Sequence, residues 1–418
     1  MRFLLVTVGT AGDIFPFLAV GRGLKDRGHR VAVITHTAYG DWVLRAGLEF
    51  IDLDDAEPHR RMVEHPAFAS PIRSPVATAG WVVDSMRRQY RKIEENFVEG
   101  ETVLVSLVIA FGARVFQEAR GAPHWSALIS PMALRSRLRP SKMPFGWWPE
   151  WTPAFVNRII YRAIDAVGID RALGGINTFR RELGLRPVSR FLHEWWQSPS
   201  GILGLFPHWF CEPISSDWPP QLRMTGFPLY DAAEGVPLDP IVEQFLDEGA
   251  KPAVVTGGSW LRDRRFFESA VAGCRRAGLR CIVQTPFREL LPERLPDNVV
   301  HTRYVPFGAI MPRAAALVHH GGVGTLSQAL AAGIPQVVIP QNFDQRDNAA
   351  RLVRLGAAAW PANGHARPAV IARSLITLLE SPTTQAVCKA LADHTRTDAV
   401  DAACRTLECH ATPMPGSC

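Results

Sequence analysis

The sequence predicts an α/β protein built from two doubly wound parallel sheets. Three observations carry that prediction. A short apolar, β-branched run at the N-terminus opens into a Gly-rich turn and a helix. A second series of the same kind begins after residue 250. Between them, Gly226-Phe227-Pro228 through Pro240 is rich in Gly, Pro and Asp and reads as a linker. At 418 residues, the chain has room for two or three domains.

Taken in order, Phe3 to Val8 reads as a buried strand, followed by a helix from about Pro16 to Arg27 that Gly28 ends at its C′ position. Val31 to Thr35 is the next strand, completing a β-turn-α-β opening. Thr102 to Ile109 and His124 to Ile129 are further strands, with a helix at Ala113 to Arg120. Pro131 to Trp218 carries Trp147, Trp148, Trp151, Trp195, Trp196 and Trp209 among many Arg, and reads as helices and loops outside the sheet. The second series has strands at Ala253 to Val255, Arg280 to Gln284, Ala315 to His319 and Gln336 to Ile339. The resulting division is a first domain over 1–225, a linker over 226–249, a second domain over 250–382, and a C-terminal helix and tail over 383–418 that packs back on the first domain. The tail ends in Pro413-Met414-Pro415-Gly416.

Composition excludes several functions. The net charge of +6 is spread in short clusters with acids nearby, so no basic stripe points to nucleic acid. The seven Cys are odd in number and form no CxxC pair, which argues against a disulfide framework or a zinc site. Gly9-Thr10-Ala11-Gly12-Asp13 interrupts the N-terminal apolar run too early for a signal peptide. No run of about 18 apolar residues occurs, so the expected location is cytoplasmic.

The chemistry concentrates in His319-His320-Gly321-Gly322-Val323-Gly324-Thr325-Leu326, placed between a strand and a helix from Leu326 to Ala332. Glycines there let backbone approach a ligand, and a helix N-terminus offers unpaired N–H groups and partial positive charge to a phosphate. A tight turn with no ligand would use the same glycines. The continuation separates the two readings: Ala332-Gly333-Ile334-Pro335-Gln336, then Pro340-Gln341-Asn342-Phe343-Asp344-Gln345 and Asn348-Ala349.

From His319 to Leu355 the chain resembles the donor-binding signature of family 1 glycosyltransferases. Val8-Gly9-Thr10-Ala11-Gly12-Asp13-Ile14-Phe15-Pro16 resembles their acceptor-side loop. The resemblance implies the GT-B fold: two Rossmann-like doubly wound domains facing a central cleft, the first for acceptor and the second for nucleotide-sugar donor. It implies an inverting hexosyltransferase that needs no metal and no cofactor beyond the nucleotide sugar. By position, it gives His320, Gly321, Gly322, Gly324 and Thr325 to the diphosphate, together with Ser259. It gives Asp344 and Gln345 to sugar hydroxyls. Tyr304 before Val305-Pro306 takes the place of a base-stacking Trp, and Gly9, Thr10, Gly12 and Phe15 form the acceptor loop. Asp344 would equally serve as a helix N-cap, Tyr304 as a core aromatic, and Asn348 reads as structural.

The family often places a catalytic His after this first turn, and here Asp13 stands in its place, as in the glycopeptide-antibiotic and sterol branches. Two readings of Asp13 remain open: a base that takes the acceptor proton, or a cap on the first helix. Asp52-Leu53-Asp54 fits the metal-binding Asp-x-Asp pattern of other glycosyltransferases but reads as a solvated loop. Ser198-Pro199-Ser200-Gly201, Leu205-Phe206-Pro207 and Met224-Thr225-Gly226-Phe227-Pro228-Leu229 resemble the rhamnosyltransferases of rhamnolipid biosynthesis. That implies dTDP-L-rhamnose as donor and a hydroxy-fatty-acid dimer as acceptor. It also implies an acyl-chain-synthesising partner enzyme and peripheral contact with the inner membrane face. UDP-glucose or another donor with a sterol or polyketide acceptor is the alternative, and a non-catalytic auxiliary protein is another. A dehydrogenase would need Gly-x-Gly-x-x-Gly after the first strand and an acid ending the second, where Thr35-His36 stands.

Overall fold

Successive residues of a strand face opposite sides of its sheet, and in this chain both sides are apolar. In β1 (Arg2–Val6), Phe3 and Leu5 enter one core while Leu4 and Val6 enter another. In β8 (Ala253–Thr256), Ala253 and Val255 are divided from Val254 in the same way. Such strands need helices on both faces, and the computed structural model shows them. It describes residues 1–54, 74–142, 149, 151–232, 236–361 and 367–409. Trp147, Trp148 and the tail from Pro413 to Gly416 lie outside these residues.

The chain divides into two units. Met1–Ser141, the stretch ending at Tyr230 and the segment from Asp398 form the first; Asp231–Thr397 forms the bulk of the second. The first sheet has the order β3-β2-β1-β4-β5-β6-β7, all parallel, with β2 at Arg30–Thr35, β3 at Glu49–Asp52, β4 at Thr102–Leu107, β5 at His124–Leu128, β6 at Ile202–Gly204 and β7 at Leu222–Met224. Helices Ala11–Asp26 and Ala399–Cys409 cover one face, through Ile14, Phe17, Leu18, Ala403, Cys404 and Leu407. Helices Ser74–Asn96 and Phe111–Arg120 cover the other.

The second sheet has the order β10-β9-β8-β11-β12-β13, again parallel, with β9 at Cys281–Gln284, β10 at Val299–Thr302, β11 at Ala316–His319, β12 at Gln336–Val338 and β13 at Ala358–Ala359. Helices Arg264–Arg276 and Pro368–Glu380 cover one face, and Pro240–Asp247 and Val323–Ala332 the other. In each sheet the strand order reverses once, at β1/β4 and at β8/β11. Crossovers leave to opposite faces there, and a crevice opens at the strands' carboxyl ends.

Several expectations shift. The first helix starts at Ala11, five residues before Pro16, because Thr10 and Asp13 build its start. The segment from Pro131 to Trp218 is not wholly outside the sheet, since Ile202–Gly204 is a buried strand within it. Its Trp195 is 3% exposed, and Trp209 meets Phe227 edge-on, so these rings are core. The stretch 226–249 contains helix Pro240–Asp247, capped by the Asp239 carboxylate on Ile241 N–H at 2.9 Å and seated in the second unit by Val242, Phe245 and Leu246. Helix Pro382–Thr395 stays with the second unit, and only Ala399–Cys409 packs on the first. Arg27 and His29 hold that last helix through Glu408, at 3.2 and 2.8 Å.

The tightest helix contact sits at Gly112. A Cβ there would stand 2.4 Å from Gln89 Cβ and 2.6 Å from the Met86 carbonyl. Overpacking at a backbone contact costs about 1–3 kcal/mol. Gly112→Ala is expected to lower the stability of the first unit by that amount in chemical denaturation, without changing nucleoside-diphosphate affinity.

Candidate active site

The second sheet's reversal point is where the His-Gly-Gly segment lies. His319 ends β11 and turns inward, fully buried, its Nδ1 accepting from Gly321 N–H at 3.2 Å. His320 turns the other way. A Cβ on Gly258, in the loop after β8, would meet its Cε1 at 2.8 Å, and one on Gly322 would meet its Nε2 at 2.5 Å. The imidazole is therefore held between two glycine loops that leave adjacent strands. Gly258 also has a φ of +70°, so a side chain is excluded there on two counts.

Helix Val323–Ala332 begins three residues earlier than Leu326, because Gly322, in an extended conformation, takes the N-cap position. Val323, Gly324 and Thr325 thus form its first turn. The first N–H groups of a helix have no partner within it, and they sit beside His320 with no side chain capping them. Thr325 is 8% exposed. Burial pushes His320 down to about 4, partly opposed by the Thr256 backbone, so the free site holds a neutral imidazole at pH 7 rather than a cation. His319 is pushed down to about 3 by burial and by its neighbour His320.

The other residues expected on the donor side occupy loops at the same end of the sheet. Ser259 is exposed after β8. Tyr304, after β10, is 47% exposed, which excludes the core reading, while Val305 beside it is buried. Asp344 stands at the N-cap of helix Gln345–Arg354, yet its side chain makes no capping bond; Oδ2 accepts from Asn348 Nδ2 at 2.9 Å. Asn348 also donates to the Gly321 carbonyl at 3.0 Å, tying Asp344 to the glycine loop. Gln345 is mostly committed inward: Oε1 accepts from Gln341 and Asn342 N–H at 2.7 and 2.9 Å. Two residues escaped the sequence reading. Trp260 meets both His320 and Phe343 edge-on at 6.4 Å, and Phe343 has a φ of +52°. That left-handed backbone in a non-glycine residue is a strained turn beside the ligand loop. Nothing in the spacing of either residue announces this.

In the first unit, the loop after β1 lies at the other reversal point. Asp13 Oδ2 accepts from Thr10 N–H at 2.7 Å and from the Thr10 hydroxyl at 3.0 Å, the reach-back of a capping box. Capping is therefore present. Gly9 has a φ of +122°, and a Cβ on it would meet Asp13 Oδ2 at 2.4 Å; Gly12 lies in the helix's first turn. Phe15 stacks near Trp42 and Tyr230 at 4.8 and 5.5 Å, and Trp42 lies against Tyr39 at 5.2 Å. The Tyr39 phenol is pushed well above its ordinary range by burial and by the charge of Asp13. This aromatic group packs around the loop expected to face the acceptor. Asp52-Leu53-Asp54 is solvated only at Asp52, which is exposed; Leu53 is buried, and Asp54 bonds His36 Nδ1 at 2.9 Å.

Against known families, residues 3–132 match the "Glycosyltransferase family 28 N-terminal domain" and residues 282–403 match the "Erythromycin biosynthesis protein CIII-like, C-terminal domain". The chain is 29% identical over 391 residues to an O-mycaminosyltylonolide 6-deoxyallosyltransferase of Streptomyces fradiae, covering 86% of this chain and 85% of that protein. It is 26% identical over 376 residues to a sterol 3-beta-glucosyltransferase of Yarrowia lipolytica, of whose length it spans 25%. Among solved structures, the glycosyltransferase of kitacinnamycin superposes with a TM-score of 0.74 at 21% identity, covering 98% of this chain and 99% of that one. The spinosyn rhamnosyltransferase SpnG does so with 0.69 at 21% identity, covering 98% and 100%.

The buried histidines predict a pH signature. A His that titrates near 6.5 when unfolded but near 3 or 4 when folded binds its proton only in the unfolded chain over that window, so stability is full above pH 6.5 and falls as pH drops. At pH 5 the expected loss is about 2 kcal/mol from each of His319 and His320. Denaturation of wild type and His320→Gln across pH 5–8 should show the slope reduced by about half in the variant if these two dominate. The two family matches, the relative aligned along most of the chain and the shared GT-B fold together make this chain a glycosyltransferase.

Proposed function

We propose that this enzyme transfers L-rhamnose from dTDP-L-rhamnose to the hydroxyl of a hydroxy-fatty-acid dimer, with inversion and without a metal. One observation carries the transfer chemistry: His320 wedged between Gly258 and Gly322, beside the open first turn of helix Val323–Ala332. That arrangement suits a diphosphate leaving group. In this reading Asp13 takes the proton of the acceptor hydroxyl, whose oxygen forms the new bond at the anomeric carbon as the bond to the diphosphate breaks. The electron pair leaves with the nucleoside diphosphate. Helix N–H groups and a donor from His320 meet the charge that grows there. Asp344 and Gln345 hold sugar hydroxyls, and Tyr304 stacks on the base. Asp54 is already paired with His36, which supports a mechanism with no Asp-x-Asp metal site.

Phe15, Trp42 and Tyr230 beside Asp13 suit an apolar acceptor, delivered by an acyl-chain-synthesising partner enzyme. A membrane-surface role has its own observation. Trp151, Phe155, Ile159 and Val167 are 83, 68, 61 and 77% exposed on and around helix Ala154–Ile164. Arg158 and Arg162 are exposed on the same helix. Apolar residues interleaved with Arg fit an anionic lipid surface. No helix among the described residues is long and apolar enough to cross a membrane. A second acceptor class, sterol or macrolide, has the named relatives in its favour.

Three measurements check these readings. Mass spectrometry with a panel of nucleotide sugars against a hydroxy-fatty-acid dimer, a sterol and a macrolide aglycone should give product with dTDP-rhamnose and the fatty-acid dimer; product only with UDP-glucose and sterol would replace the reading. Asp13→Ala and His320→Ala should each lower kcat by about 100-fold or more; wild-type rates in both would remove their assigned roles, and nucleotide binding without any transfer in wild type would favour an auxiliary protein. Sedimentation with phosphatidylglycerol vesicles should pull down wild type at low salt but not the Phe155→Ser/Ile159→Ser double variant.

A further inference from the structure

His36 follows the last residue of β2 and is fully buried. Its Nε2 lies 3.3 Å from Gly9 N, and its Nδ1 lies 2.9 and 3.1 Å from the two carboxylate oxygens of Asp54. Gly9 N–H can only donate, so Nε2 must carry the lone pair. The Asp54 carboxylate then takes the proton on Nδ1. The tautomer is fixed from both sides, and it is the one that a histidine side chain in water does not favour. Asp54 is itself held: its side chain is 2% exposed, Thr37 Oγ1 donates to its carbonyl, and Arg88 Nη2 stands 3.8 Å from Oδ2. Trp81 and Tyr39 close around the ring, at 5.3 and 6.4 Å.

This pair grips the Gly9 N–H, one residue before the N–H that holds the Asp13 carboxylate. Gly9, in a φ of +122°, packs its Cα against the Asp13 carboxylate, and the next N–H, that of Thr10, bonds Asp13 Oδ2 at 2.7 Å. We propose that His36 and Asp54 are positioning residues that hold the Gly9–Thr10 backbone so that Asp13 is aimed at the acceptor hydroxyl. The proposal rests on the reading of Asp13 as the base. Neither His36 nor Asp54 touches substrate; they act through the loop. Misplacing a reacting group by an ångström costs on the order of 100-fold in rate, so a backbone contact this near the base is expected to show in kcat.

The test is a variant series with a tautomer measurement beside it. His36→Leu removes the acceptor for Gly9 N–H, whereas His36→Gln puts an amide oxygen near the Nε2 position. The expected result is a kcat about 100-fold lower in His36→Leu, recovery to within about tenfold of wild type in His36→Gln, and a loss in Asp54→Ala. Affinity for nucleoside diphosphate, bound by the second unit, should not change in any of them. Long-range ¹⁵N–¹H correlation on wild type should show an Nδ1-protonated histidine whose signal is lost in His36→Gln, while the one from His124, whose Nδ1 faces Gln117 Oε1 at 3.0 Å, remains. A Nε2–H tautomer at His36 would overturn the proposal even if His36→Leu failed to fold. Wild-type kcat in a folded His36→Leu, with Asp13→Ala inactive, would overturn it alone. Wild-type kcat in Asp13→Ala would instead remove the base reading on which it rests.

Discussion

Much of the second unit is arranged around one imidazole that has to be buried without being charged. His320 sits where the sheet order reverses, between loops leaving β8 and β11, and its ring occupies the space that side chains at positions 258 and 322 would need. Water is excluded, and burial holds the ring neutral. Among the described residues, its Nδ1 makes no hydrogen bond of normal geometry. The Thr256 backbone lies against the ring and favours a proton on it, while Nε2 is the ring nitrogen nearest Gly322 at the helix start.

The surrounding structure fixes the loops on either side of this ring. Asn348 reaches from helix Gln345–Arg354 to the Gly321 carbonyl and to Asp344 at once, so glycine loop and helix start move as one body. Gln345 folds back on the Gln341 and Asn342 N–H groups, which the turn through the strained Phe343 would leave exposed. These bonds place residues expected to face a sugar, and they also limit them: Gln345 Oε1 is already used, leaving its amide nitrogen as the group better suited to donate to a ligand.

The legible part of the fold was the part set by periodicity and glycine. Val31 to Thr35 and Ala253 to Val255 are continuous apolar runs, and such runs in an α/β chain are doubly covered strands. Short strands escaped for the opposite reason. Ile202–Gly204 and Leu222–Met224 are three residues each, too brief to carry a period; the first pairs with the edge of β5 and the second with the edge that the first then offers. At the site, the His320 glycine loop and Asp13 were visible because contiguous residues form them. His36 and Asp54 were not, since a pair 18 residues apart is joined only when β2 and β3 lie side by side. Asp54 even carried a misleading local signature, an acid among acids in a presumed solvated loop, until its burial showed otherwise.

The two reversal points use histidine in complementary ways, and the difference follows from what each nitrogen faces. In the first unit, His36 has both ring nitrogens engaged, one by a carboxylate and one by a backbone N–H, so it has no capacity left for a ligand and serves as a strut. In the second, a carboxylate bonded to His320 would raise its proton affinity and also repel a diphosphate. Burial between two glycines keeps the imidazole neutral against the opposing pull of the Thr256 backbone, without a carboxylate that an arriving anion would meet as a like charge. An anion arriving beside the first turn of helix Val323–Ala332 would then favour proton uptake by the same ring, so that leaving-group charge and proton affinity rise together.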